Sequence, residues 1–280
     1  MQANRSLFVR LFLINIILFL TGCANQDPRS AASTFTKKTG LISEDFGANG
    51  LTLRSWQRIS PPVTVLRVYV EGDGFAWKSR TQPSDDPTPH NPVGLKLAAA
   101  DPSANVLYLA RPCQYIGPPL PTTCTASVWT DRRFSPQIID AMNNVLSQMM
   151  QRYPQARIEL VGYSGGGNIA ALLAARRHDV VSLRTVAGNL DVAWVNSLHH
   201  VSAMHGALSA IDSAKDLNNI PQLHFSGSKD TIVPPSVAER FQQAVGTRCA
   251  QVEIVPEMEH GSDWAAIWPG LLAQKVGCGE

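Results

Sequence analysis

The sequence predicts an α/β fold, a mainly parallel sheet with helices on both faces. Three observations carry this. Short β-branched runs alternate with helix-period runs from residue 51 onward, the pattern of successive β-α units. Hydrophobic residues make up 44% of the 280-residue chain and charged residues 16%, enough for one sizeable core. No repeat and no internal boundary interrupts residues 41–280, so they read as one domain.

The elements follow in order. Leu51 to Ile59 and Val63 to Val70 are early strands, separated by the turn Ser60-Pro61-Pro62. Val63–Val70 runs straight into Glu71-Gly72-Asp73-Gly74-Phe75. The Pro-, Ser- and Asp-rich stretch from Gln82 to Pro92 is an irregular loop leading to a helix at Val93 to Ala100. Asn105 to Ala110 is a short strand. Ser135-Pro136 opens a long amphipathic helix through Tyr153, serine suiting the N-cap and proline the first turn. Arg157 to Tyr163 is a strand, Asn168 to Arg177 a helix and Leu183 to Ala187 a strand. Gln222 to Ser226 is a strand followed by a helix from Ser236 to Val245. Gln251 to Val255 is the last strand and Trp264 to Gln274 the last helix. Residues 191–219 are extra length, partly helical, enough for a small cap.

The N-terminus reads as an address. Arg5 and Arg10 precede an apolar run, Leu11 to Leu20, broken only by Asn15. It falls short of the roughly 20 apolar residues of a bilayer span and suits a secretory signal. Leu20-Thr21-Gly22-Cys23 resembles a bacterial lipobox. That resemblance implies a signal peptide over 1–22 and acylation of Cys23; an uncleaved anchor is the competing reading. Ala24 then implies sorting to the outer membrane. Small, polar residues 23–40 read as a flexible tether. The formal charge is +2, and without Arg5 and Arg10 it is 22 basic against 22 acidic residues. That balance argues against a nucleic-acid partner, which needs a basic surface; it leaves room for a local patch, but no long Lys/Arg run is present.

Beyond Cys23 the chain has Cys113, Cys124, Cys249 and Cys278. In an oxidising compartment the simplest pairing is Cys113–Cys124 with Cys249–Cys278, one of three connectivities open to four cysteines. No Cys/His spacing supports a zinc site.

One stretch concentrates the chemistry. In Arg157-Ile-Glu-Leu-Val-Gly-Tyr-Ser164-Gly-Gly-Gly-Asn168, glycines at 162, 165, 166 and 167 surround a serine between a strand and a helix. A phosphate-binding glycine turn is the alternative, but the Gly-Lys-Ser/Thr of a Walker loop is missing. Gly162-Tyr163-Ser164-Gly165-Gly166 matches G-x-S-x-G in the strand-to-helix setting of a nucleophile elbow. Here residues 51 onward resemble the α/β-hydrolase superfamily.

The resemblance implies an acid and then a histidine downstream of the serine. His260, on the loop between the last strand and last helix, takes the base position; the other histidines fall too early, in residues 191–219 or inside a strand. Gly227-Ser-Lys-Asp230-Thr-Ile-Val233-Pro234 is similar to acid-bearing segments of the superfamily, with Asp191 the rival acid. Asp263 is read as a helix cap. The oxyanion donors are expected at Gly165 and at the Asp73 amide, with Gly74 or Phe75 as alternatives. Phe75, Trp77, Trp194 and Trp264 are candidates for an apolar acyl pocket or for core.

The implied activity is hydrolysis of an acyl ester on a small or lipid-like substrate, without metal or organic cofactor. Thioesterase, peptidase and acyltransferase chemistry share the constellation, and a non-catalytic envelope lipoprotein is the contrasting class.

Overall fold

The computed structural model describes residues 27–246 and 248–279. The signal-peptide and Cys23 assignments lie outside the described residues.

Eight strands form one sheet: β1 (Ile42–Ala48), β2 (Leu51–Arg58), β3 (Val65–Val70), β4 (Val106–Leu109), β5 (Arg157–Tyr163), β6 (Val180–Val186), β7 (Gln222–Gly227) and β8 (Ala250–Val255). Their spatial order is β1-β2-β4-β3-β5-β6-β7-β8. β1 and β2 are antiparallel to each other, and β2 to β4. From β4 through β8 every neighbouring pair is parallel. The chain leaves β3 for β4 on one side and returns to β5 on the other. This reversal opens a crevice at the carboxyl ends of β3 and β5, where open α/β sheets bind their ligands.

The helices are α1 (Pro28–Thr39), α2 (Val93–Ala100), α3 (Ala126–Trp129), α4 (Pro136–Arg152), α5 (Gly165–Ala174), α6 (Val192–Leu198), α7 (Pro235–Val245) and α8 (Trp264–Leu272), with a 3-10 helix at Ala210–Leu217. They split between the two faces. α4, α5 and α7 bury Ile139, Met142, Leu146, Ile169, Leu173, Val237 and Phe241 in one core. α1, α2 and α8 bury Ala32, Leu95, Ala98, Trp264 and Trp268 in the other. β4 is apolar along its length, as a doubly covered strand requires, while β3 and β5 are apolar apart from Arg67, Arg157 and Glu159 toward their amino ends.

The structure corrects the sequence expectations at several points. Residues 28–39, expected within a flexible tether, form a helix. Asp27 caps it through Ser30 N–H, Pro28 occupies its first turn, and Gly40 ends it at φ 71°. β1 was not expected. It is an edge strand with only Phe46 and Ala48 buried, so it lacks an apolar run. Ser135 and Asp263 stand at N-cap positions, yet neither side chain makes a capping bond. Residues 191–219 send Ala210, Ala214 and Leu217 into the main core. Asn168 of α5 pins them, donating to Leu208 O at 3.0 Å and accepting from Ala210 N–H at 2.7 Å. This part of the segment packs against the body of the domain, while Leu198 and Val201 are exposed.

Candidate active site

Ser164 follows the last residue of β5 and precedes the first residue of α5. Its backbone stands at φ 52°, ψ −123°, a conformation that non-glycine residues seldom adopt. Its N–H donates to Val186 O at 3.0 Å, and its carbonyl accepts from Gly167 and Asn189 N–H, each at 2.9 Å. The tight turn explains the glycines. A Cβ at Gly162 would stand 2.4 Å from Gly166 O, and one at Gly166 would stand 2.3 Å from Val70 O. Both collisions are with backbone, so neither neighbour has a rotamer to yield. The turn aims the serine hydroxyl at the crevice, with the positive end of α5 beneath it.

Three side chains far apart in sequence meet here. His260 Nε2 lies 2.9 Å from Ser164 Oγ, and His260 Nδ1 lies 2.8 Å from Asp230 Oδ2. A carboxylate only accepts, so Nδ1 carries the proton and Nε2 is left to accept from the hydroxyl. The Asp230 side chain is fully buried. Its other oxygen accepts from Ile232 N–H at 2.9 Å and Val233 N–H at 2.8 Å, which fixes the carboxylate's orientation. Asp191, the rival acid, is engaged elsewhere. It accepts from Trp194 N–H and from Arg240 Nε, each at 3.0 Å.

The loop bearing His260 is held by Tyr163, which sequence reasoning left unassigned, and by Trp264, expected in the acyl pocket or the core. Tyr163 Oη donates to the His260 carbonyl at 3.0 Å, and Trp264 Nε1 donates to it at 3.1 Å. Burial raises the Tyr163 phenol above its usual range, so it stays a donor at any working pH. The fully buried Trp264 is thus a support for the His260 loop, whereas Trp77 is exposed and Trp194 lies against Arg240. Gly227 N-terminal to the acid lets Met258 approach: a Cβ there would stand 2.2 Å from Met258 O. The Asp230 and His260 loops are therefore in direct contact.

The loop after β3 completes the site. A Cβ at Gly72 would stand 3.3 Å from Ser164 Cβ, so this loop backs directly onto the serine. Phe75 N–H is taken by Pro87 O at 3.0 Å, which removes it as a free donor. The Asp73 amide donates no hydrogen bond among the described residues. Glu71 anchors the loop from below. It is buried and accepts from Gly72, Gly94 and Leu95 N–H and from Tyr108 Oη, at 2.9 to 3.2 Å. Burial raises its carboxyl above the usual range, with those four bonds acting the other way. Gln114 Nε2 donates to Gly72 O at 3.1 Å from above. Gln114 sits in a loop closed by the Cys113–Cys124 disulfide; the second disulfide joins Cys249 and Cys278. Both pairings are the expected ones.

No family model matches the sequence, and no curated protein matches it. Solved structures do. An alpha-beta serine hydrolase homologue from Coxiella burnetii is 16% identical at a TM-score of 0.54, covering 82% of this chain and 93% of its own. A putative lipase from Acinetobacter baumannii is 14% identical at 0.57, covering 90% and 98%. An esterase domain from a Rhodothermus marinus protein is 16% identical at 0.55, covering 82% and 95%. The chain has the α/β-hydrolase fold.

Proposed function

We propose that the protein is a serine hydrolase that cleaves acyl esters. The observation that carries this reading is the hydrogen-bonded series Ser164–His260–Asp230, at 2.9 and 2.8 Å. In the proposed reaction His260 Nε2 takes the hydroxyl proton as Ser164 Oγ attacks the substrate carbonyl carbon. The tetrahedral anion is held by the Gly165 and Asp73 amides. The imidazolium returns its proton to the departing alkoxide, leaving an acyl-serine. Water, deprotonated by the same imidazole, then releases the carboxylic acid and restores the hydroxyl. Asp230 keeps Nδ1 protonated and stabilises the imidazolium throughout.

Ser164→Ala should lower kcat on p-nitrophenyl butyrate by at least ~10³-fold and abolish labelling by a fluorophosphonate. A wild-type protein that neither turns over the ester nor labels is a non-catalytic scaffold. Thioester substrates and competing alcohol acceptors separate thioesterase and acyltransferase variants of the same chemistry.

The reading extends to location. The charged start, short apolar run and Leu20-Thr21-Gly22-Cys23 support an acylated Cys23 that anchors the protein to the outer membrane, acting there on small or lipid-like acyl substrates. Two disulfides fit an oxidising compartment. Metabolic labelling with a tagged fatty acid should mark the wild-type protein and not Cys23→Ala. A wild-type protein that takes up no label would contradict the lipid anchor.

A further inference from the structure

Asp73 puts a carboxylate where the proposed reaction gathers negative charge. A Cβ at Gly165 would stand 2.1 Å from Asp73 Oδ1, so the carboxylate rests against the α-carbon of a proposed oxyanion donor. Left alone, that charge would oppose the tetrahedral anion.

Two guanidiniums close on it. Arg111 Nη1 donates to Asp73 Oδ1 at 3.0 Å, and Arg133 Nε lies 2.8 Å from Oδ2. Both lie over the fully buried ring of Phe134, with guanidinium carbons 5.2 and 5.0 Å from its centroid. Arg111 also donates to the Arg133 carbonyl, and Arg133 Nη1 donates to Thr130 O at 2.8 Å. The arginines are therefore held by more than their ion pairs. Burial pushes Arg111 down to about 10, with Asp73 opposing the shift, so it remains charged at neutral pH. Two cations against one anion leave the cluster at +1.

We infer that Arg111 and Arg133 are positioning residues of this site: they neutralise and hold the Asp73 carboxylate so that the Asp73 amide stabilises the oxyanion unopposed by its own side chain. This rests on the reading of Ser164 as nucleophile and the Asp73 amide as donor. Substrate need not touch either arginine. Their effect falls on the charge developed in the transition state, and so on kcat rather than on KM.

The test is a double-mutant cycle on the full chain with p-nitrophenyl butyrate as probe. R133M should lower kcat about 10–100-fold while KM stays within about twofold, and R133K should retain more activity than R133M. In R133M/D73N the carboxylate that needs neutralising is gone, so kcat should recover at least about tenfold over R133M. R111M is the parallel arm where thermal melts show it folded; Arg111 is more deeply buried, and R133M decides alone if it is not. A double variant no faster than R133M, or a loss confined to KM, overturns the clamp. Wild-type turnover with fluorophosphonate labelling separates that result from failure of the hydrolase reading, which would remove both.

Discussion

Ser164 is the residue on which the site turns, and its φ of 52° shows how much local geometry is bent to it. Such a backbone persists only where its surroundings over-determine it, and here three backbone hydrogen bonds do so. Asp230 is held just as closely. Asp230→Asn should keep the fold, yet lower kcat about 10³–10⁴-fold, because the amide presents a donor to Nδ1 and favours the wrong tautomer. A structural residue makes a second test. His224 is fully buried on β7, with Thr185 Oγ1 2.9 Å from its Nδ1. Burial lowers it from 6.5 to about 3. The unfolded chain therefore binds the proton more readily. The stability this residue contributes is complete above about pH 6.5 and lost as pH falls toward 3, at up to about 1.4 kcal/mol per pH unit. Urea melts from pH 7 to pH 4 should show a shallower acid decline for His224→Gln than for wild type.

At the scale of elements, the approach of α5 to β5 and β3 demands glycine at two points. Gly162→Ala puts a methyl 2.4 Å from a carbonyl oxygen of α5. It should cost about 1–3 kcal/mol in a denaturant melt, and activity with it, since strand and helix must part to admit it. The strand-to-helix alternation was legible because apolar period and turn residues agree from residue 51 onward. The serine loop was legible from its glycines between a strand and a helix, and the Asp230 and His260 loops from the resemblance, which implies an acid and then a histidine downstream. α1 was hidden by its polar composition, though the Asp27-Pro28 start and Gly40 stop are cap signals in plain view. β1 was hidden because only Phe46 and Ala48 face inward. Arg111 carries no local signal beyond a charge shortly after the apolar strand Val106–Leu109, and Arg133 none beyond a charge in the loop before the helix Pro136–Arg152. Their contacts with Asp73 span loops that only the folded sheet brings together.

At the scale of the molecule, the two disulfides divide the labour. Chain-entropy reasoning gives each about 3 kcal/mol, with more from the longer loop. Cys249–Cys278 ties the C-terminal segment to the loop before β8, and C249A/C278A should mainly lower the melting temperature. Cys113–Cys124 closes the loop that carries Gln114, which grips Gly72. C113A/C124A should therefore depress kcat beyond what its loss of stability explains, as turnover well below its melting transition would reveal.

The spacing of Ser164 and His260, 96 positions apart, has a consequence for biosynthesis. A ribosome delivers the hydroxyl long before the imidazole that would awaken it. On the proposed reading the nascent polypeptide is an inert alcohol throughout that interval, and it turns reactive only once the loop between β8 and α8 has docked. On that reading, attack by Ser164 on an acyl group waits until the segment that carries His260 has been made and docked.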